Sequence, residues 1–77
     1  MNGRDELLLL AELRENLRNG EAQRVRQGAR VTVAEVARAL GVTQGAVAQW
    51  ERGVRSPRGD IAVMYARILD DLGKVAG

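Results

Sequence analysis

Apolar residues recur at intervals of three and four along most of the chain, which is the spacing of one face of an α-helix. The clearest example is the segment 5–18, which carries a leucine stripe on one face: Leu7, Leu10, Leu13 and Leu17. Asn19 and Gly20 follow it, and both tolerate the left-handed conformation that ends a helix. A shorter second helix is predicted over residues 21–28, with Ala22, Val25 and Ala29 turned inward.

Capping residues and glycines delimit the next two predicted helices. Thr32 can cap the free amides of a helix over residues 33–40, and Glu35 stands three residues later, as in a capping box. Gly41 ends this helix. Thr43 is a second capping residue, and the helix that it begins is expected to run to Arg52, before Gly53.

The last predicted helix covers residues 60–72, after a Ser-Pro loop over residues 54–59. Its expected inward face comprises Ile61, Met64, Tyr65, Ile68 and Leu72. One proline and only two aromatic residues argue against a β-rich domain. The sequence therefore predicts a single, small, all-α domain.

Two of these helices, over residues 33–52, are joined by a tight corner. Small Ala37 lets the second helix approach the first, and Gly41 supplies the positive φ that the corner requires. The apolar residues spaced to fill the wedge are Val36, Leu40, Val42, Val47 and Trp50. The opposite face of the second helix carries Gln44, Gly45, Ala48 and Gln49, without a negative charge. Such a helix can enter a major groove.

Composition narrows the function classes. The chain has no cysteine and no histidine, so it lacks the usual general base and the usual zinc ligands; neither an enzyme, a metal site nor a cofactor is expected. The longest apolar run, residues 7–11, is too short to span a bilayer, and no signal peptide is indicated, so a cytoplasmic, nucleoid-associated protein is expected. Residues 22–69 contain eight arginines and three acids, whereas residues 1–21 contain three arginines and five acids. A basic body suits a polyanionic partner.

The segment 33–53, VAEVARALGVTQGAVAQWERG, resembles the helix-turn-helix of phage-repressor, Cro and Xre-like regulators. The resemblance extends over about residues 21–69 and rests on Ala37, Gly41 and Val47, the exit at residues 50–53, Pro57, and the spacing of Ala66 and Leu69. It implies a compact, lambda-repressor-like bundle of four or five helices. It also implies a dimer that reads a palindromic double-stranded operator with helix 43–52.

The resemblance assigns candidate DNA contacts to this helix. Gln44 matches a position that contacts base edges or the adjacent phosphate, and Thr43 leaves the helix N-terminus facing phosphate. Gly45, Ala46 and Ala48 are small, so the backbone can approach closely and an alanine can touch a thymine methyl. Gln49 and Arg52 lie on the same side.

Five further arginines are assigned roles. A structural ion pair between Arg26 and Glu51 is expected from the resemblance, and Arg55 and Arg58 are candidate phosphate clamps. Arg30 and Arg38 are weaker candidates.

The family's additional C-terminal helix is missing or reduced to a short tail at residues 73–77, and many relatives have glutamine in place of Val33. The chain instead has the leucine-rich segment 1–20 before the domain at residues 21–72. Two roles stay open for its leucine stripe, namely core packing on the last helix and self-association as a homodimer. The expected function is a phage or phage-like transcriptional repressor, with an antitoxin-like module that binds a protein partner through this segment as the alternative.

Overall fold

The computed structural model describes residues 3–76, with the side chain of Ala76 left out, and that part of the chain forms five helices and no strand. They are α1 (Gly3–Arg18), α2 (Glu21–Gly28), α3 (Val33–Leu40), α4 (Gln44–Glu51) and α5 (Gly59–Ala76). The predicted all-α fold is confirmed.

The two predicted threonine caps fix the starts of α3 and α4. Thr32 Oγ1 accepts a hydrogen bond from the Glu35 amide at 3.0 Å, and Glu35 Oε1 accepts one from the Thr32 amide at 2.9 Å, which completes the capping box. Thr43 Oγ1 accepts from the Ala46 amide at 3.1 Å. These side chains satisfy amides that have no partner within their own helices.

The outer helices are longer than predicted. The first begins at Gly3, and the last extends past the predicted end at residue 72 to Ala76. Residues 73–76 therefore continue α5. Met1 and Asn2, at the start of the leucine-rich segment 1–20, and Gly77, at the end of the predicted tail, lie outside the described residues.

All five helices contribute to one core. α1 and α2 pack on α5, while α3 pairs with α4 and also contacts α5. The ring centroids of Trp50 and Tyr65 are 5.3 Å apart with a 40° tilt, an arrangement that favours aromatic attraction. The buried apolar residues are Leu13, Ala22, Val36, Ala37, Leu40, Val47, Trp50, Ala62, Tyr65, Ala66 and Leu69.

The predicted inward face of α5 was wrong in part. Its buried residues are Ala62, Tyr65, Ala66 and Leu69, and Met64 is 41% exposed. The small alanines let the neighbouring helices pack closely, so the larger aliphatic side chains lie to one side of the contact.

The leucine stripe of α1 is divided between core and surface. Leu13 is buried, and Leu10 and Leu17 pack half-buried against the core. Leu7 is 67% exposed and its neighbour Leu8 is 57% exposed. Core packing therefore accounts for three of the four leucines.

Candidate nucleic-acid interface

The corner between α3 and α4 sets the position of the candidate recognition helix. Gly41 adopts φ 72°, and the following amide, of Val42, donates to the Ala37 carbonyl at 3.0 Å. Val47 is fully buried and Trp50 is 7% exposed, so one face of α4 is held by the core. The opposite face is consequently presented to the outside in a fixed orientation.

That outward face of α4 carries most of the predicted reading residues. Gln44, Ala48 and the capping residue Arg52 follow one another at intervals of four, and Gly45 and Gln49 form a parallel row. Gln44, Gly45 and Arg52 are exposed, whereas Ala48 and Gln49 are half-buried. The surface is narrow and contains no carboxylate, as an approach to a phosphate-lined groove requires.

Ala46 lies apart from this surface. Its half-buried side chain packs against the core. Of the two alanines considered for a thymine methyl, the structure therefore presents only Ala48 on the outward face.

The N-terminus of α4 adjoins the same face. Thr43 takes up the amide of Ala46, and the amides of Gln44 and Gly45 precede the first possible intrahelical bond. Among the described residues these two amides have no hydrogen-bond partner. They and the helix dipole favour an anion at this end of α4.

The structure brings Arg26 and Glu51 together in a buried ion pair. Arg26 Nε donates to Glu51 Oε2 at 2.6 Å and Nη2 donates to Oε1 at 3.0 Å, a two-pronged geometry. The two side chains are only 11% and 6% exposed. Arg26 Nη1 also donates to the Val31 carbonyl at 2.9 Å. One guanidinium thus joins α2, the turn before α3 and the end of α4.

This ion pair has an electrostatic effect on its surroundings. The hydrogen bonds to Glu51 raise the pKa of Arg26 above its ordinary value. The pKa of the Tyr65 phenol is raised mainly by burial; the charge of Glu51 raises it further, and the charge of Arg26 opposes this rise. The Tyr65 hydroxyl is buried without a hydrogen-bond partner in the described part of the chain. α5 turns the Tyr65 ring inward onto Trp50, which places its hydroxyl inside the core.

The predicted phosphate clamps lie in the loop between α4 and α5. Arg55 and Arg58 are exposed, and they line an open groove together with Val42, which precedes the N-terminus of α4. The amides of Val54 and Arg55 donate to the Gln49 carbonyl at 2.9 and 3.4 Å, with Gly53 at φ 75° in the turn. The loop is therefore fastened to the end of the recognition helix. Arg30 and Arg38 are both exposed.

Helix α1 also borders this loop, a contact that was not predicted from the sequence. Arg14 and Arg18 of α1 line a second groove with Arg55, Ser56 and Pro57. Their spacing of four residues, on the side of α1 next to Leu10 and Leu17, shows that they share a helix face. It does not show which part of the molecule that face meets.

The family comparison agrees with this geometry. A family model described as Helix-turn-helix matches residues 23–73, two thirds of the chain, which therefore belongs to the helix-turn-helix family. Within that family it is of the Cro/Xre type, that is, a transcription regulator that binds double-stranded DNA. No curated protein and no solved structure matches the chain.

Two other features are absent from the described residues. No helix there is long and apolar enough to cross a membrane. Within the same residues, no group of three or more acidic side chains is arranged to hold a metal ion.

Proposed function

We propose that this protein is a repressor or Cro-type switch, of phage or phage-like origin, that reads a specific operator through the major groove with α4. The observation that carries the proposal is the outward face of α4, which is free of carboxylates and is adjoined by Arg55 and Arg58. The buried pair of Arg26 and Glu51 supports it, because it neutralises the only carboxylate of α4 away from the DNA.

Gln44 is assigned the reading of a base. It is exposed at the first turn of α4, where a side-chain amide can pair with adenine through two hydrogen bonds, an interaction worth about 1–3 kcal/mol of discrimination. Gln49 and Arg52 extend the same surface, and Ala48 offers a methyl contact.

The test distinguishes a residue that recognises a base from one that binds a backbone phosphate. The operator is first selected from a random duplex pool. Gln44→Ala should then weaken binding to the operator by about 5- to 150-fold while leaving random duplex nearly unaffected. Arg55→Gln should weaken both and make the salt dependence shallower by about 0.9 in log–log slope. Equal losses on operator and random duplex for the Gln44 variant would refute its reading role.

We further propose that the protein binds as a homodimer to a palindromic operator, since helix-turn-helix dimers match their symmetry to two half-sites. Leu7 and Leu8, both more than half exposed, are apolar surface available to a second copy. A selected sequence without dyad symmetry, together with a monomeric mass on DNA, would contradict this arrangement.

The same exposed leucines favour one alternative, in which the first turns of α1 bind a different protein and DNA binding serves autoregulation. Co-purification of a second protein in stoichiometric amount, lost on Leu7→Gln and Leu8→Gln substitution, would support it. A homodimer that needs no other protein to bind its operator would argue against it.

A further inference from the structure

The grooves on the two sides of α1 differ in the sign of their net charge. The groove between α1 and the α4–α5 loop is lined by Arg14, Arg18 and Arg55 and by no acidic residue. The two grooves between α1 and the C-terminal half of α5 have a net negative lining, with the acids Asp5, Glu12, Asp70 and Asp71 against the cations Arg67 and Lys74. A polyanion is therefore attracted to one side of α1 and repelled from the other.

Arg14 and Arg18 differ in whether their charge is neutralised. Arg18 donates three hydrogen bonds to Glu15, the shortest at 2.6 Å, so this exposed pair is locally neutral. Arg14 is exposed and has no carboxylate partner among the described residues. Arg14 is thus the net cation that α1 adds to this groove.

The surroundings of Arg14 suit a side chain that reaches outward. Leu10, Leu17 and Pro57 line the same groove and offer apolar surface to its methylene stem, which leaves the guanidinium free to meet solvent or an anion. Arg55, on the opposite wall, is the loop residue to which the proposed function assigns a phosphate contact. Two cations on the walls of one groove can follow neighbouring phosphates of one strand.

We infer that Arg14 is a further DNA-binding residue, which contacts a backbone phosphate beside the one held by Arg55 and extends the footprint of the helix-turn-helix onto α1. Arg14 lies outside the segment 23–73 that the family model matches. The contact carries no sequence information; it adds affinity on every duplex. The inference rests on the proposed function, because it requires that the loop face DNA.

The experiment measures the salt dependence of binding to a labelled random-sequence duplex of about 30 base pairs, from about 50 to 200 mM salt. Arg14→Gln should make the log–log slope shallower by about 0.9, so that the loss of affinity over this range shrinks by about 3.5-fold. Arg14→Lys should retain the wild-type slope, because a phosphate contact needs the charge and not the guanidinium fork. The preference for operator over random duplex should not change with either variant.

Arg4→Gln is the matched control. It removes the same charge from the same helix, ten residues and about 15 Å toward the other end, away from the loop. Its slope should equal that of the wild type. A common loss in both variants would show only a change in overall charge and would overturn the assignment.

The remaining outcomes are also decisive. If Arg55→Gln makes the slope shallower and Arg14→Gln does not, the inference fails and the proposed function stands. If the wild-type protein does not bind duplex DNA, both fail. A matching thermal midpoint for the Arg14 variants and the wild type establishes that the comparison is between folded proteins.

Discussion

Replacing Arg26 by methionine should destabilise the fold strongly, because it removes one partner of the buried ion pair with Glu51. The substitution leaves the carboxylate of Glu51, only 6% exposed, without its cation, and the Val31 carbonyl without a donor. Removing one partner of a buried ion pair costs about 3–5 kcal/mol. A chain of this length has a free energy of unfolding of about 4–12 kcal/mol, so the variant should lose a large part of it.

The companion variants separate the charge effect from packing. Glu51→Leu should cost less than Arg26→Met, because the Arg26 guanidinium keeps its bond to the Val31 carbonyl and its tip can turn toward water. The double variant Arg26→Met with Glu51→Leu removes both charges and should cost much less than the two single changes added together.

Urea unfolding followed by the helical circular-dichroism signal measures all four proteins. The reasoning requires a coupling energy of at least about 1.5 kcal/mol between the two positions. It would be refuted by additive losses, or by an Arg26→Met variant that loses less than about 1 kcal/mol.

Three further predictions follow from the described contacts. Tyr65→Phe removes a buried hydroxyl that lacks a hydrogen-bond partner and keeps the ring on Trp50, so it should raise the free energy of unfolding by about 1 kcal/mol. A loss of that size in urea unfolding would show instead that the hydroxyl has a stabilising partner. The hydrogen bond from the Thr32 amide lowers the pKa of Glu35, so the stability contributed by this carboxylate is present above its unfolded pKa, about 4.3, and is lost as the pH falls through the lower folded value. Glu35→Gln keeps the capping acceptor and should flatten this acid-side loss in thermal melts, whereas an unchanged profile would exclude the capping box as its source. The methyl group added by Gly45→Ala meets no atom nearer than Thr43 Oγ1 at 3.9 Å, so this variant should raise the free energy of unfolding by about 0.5–1 kcal/mol, and with it the thermal midpoint. The same variant should weaken operator binding, because the methyl group obstructs a close approach of DNA to this backbone.

The centre of the fold could be predicted from sequence because its signals are local. Thr32 with Glu35, Thr43 and Gly41 each determine a helix end through bonds or backbone angles that span at most four residues. The predicted bounds of α2 and α3 match the structure, and α4 differs only in that the two end residues of the predicted helix, Thr43 and Arg52, are its caps.

The face of α5 could not be predicted in the same way. Apolar residues occur on more than one side of this helix, so its periodicity does not single out a buried face. Contact with α1 and α2 decides it, and close packing selects Ala62 and Ala66 over the larger Met64. The predicted end at residue 72 also differs from the structure, in which the helix continues through Gly73 to Ala76.

The candidate site likewise contains parts that local sequence signals predict and parts that depend on tertiary contacts. The outward face of α4 follows from helical spacing, with Ala46 as the exception, because its inward tilt depends on the neighbouring core. The pair of Arg26 and Glu51, 25 residues apart, was expected only through the family resemblance. Arg14 beside Arg55 is a tertiary juxtaposition for which the sequence holds no local signal.

The position of Leu13 has a practical consequence for moving this domain into other proteins. The segment 23–73 that the family model matches is not the unit that can be transplanted, because Leu13 of α1, 3% exposed, and Ala22 complete its core. A fusion or a recombination joint placed at residue 23 would open the apolar surfaces of Ala66 and Leu69 to water and to other chains. A joint that keeps α1 whole would carry the core across intact, so the working boundary of the module is drawn by packing and not by sequence similarity.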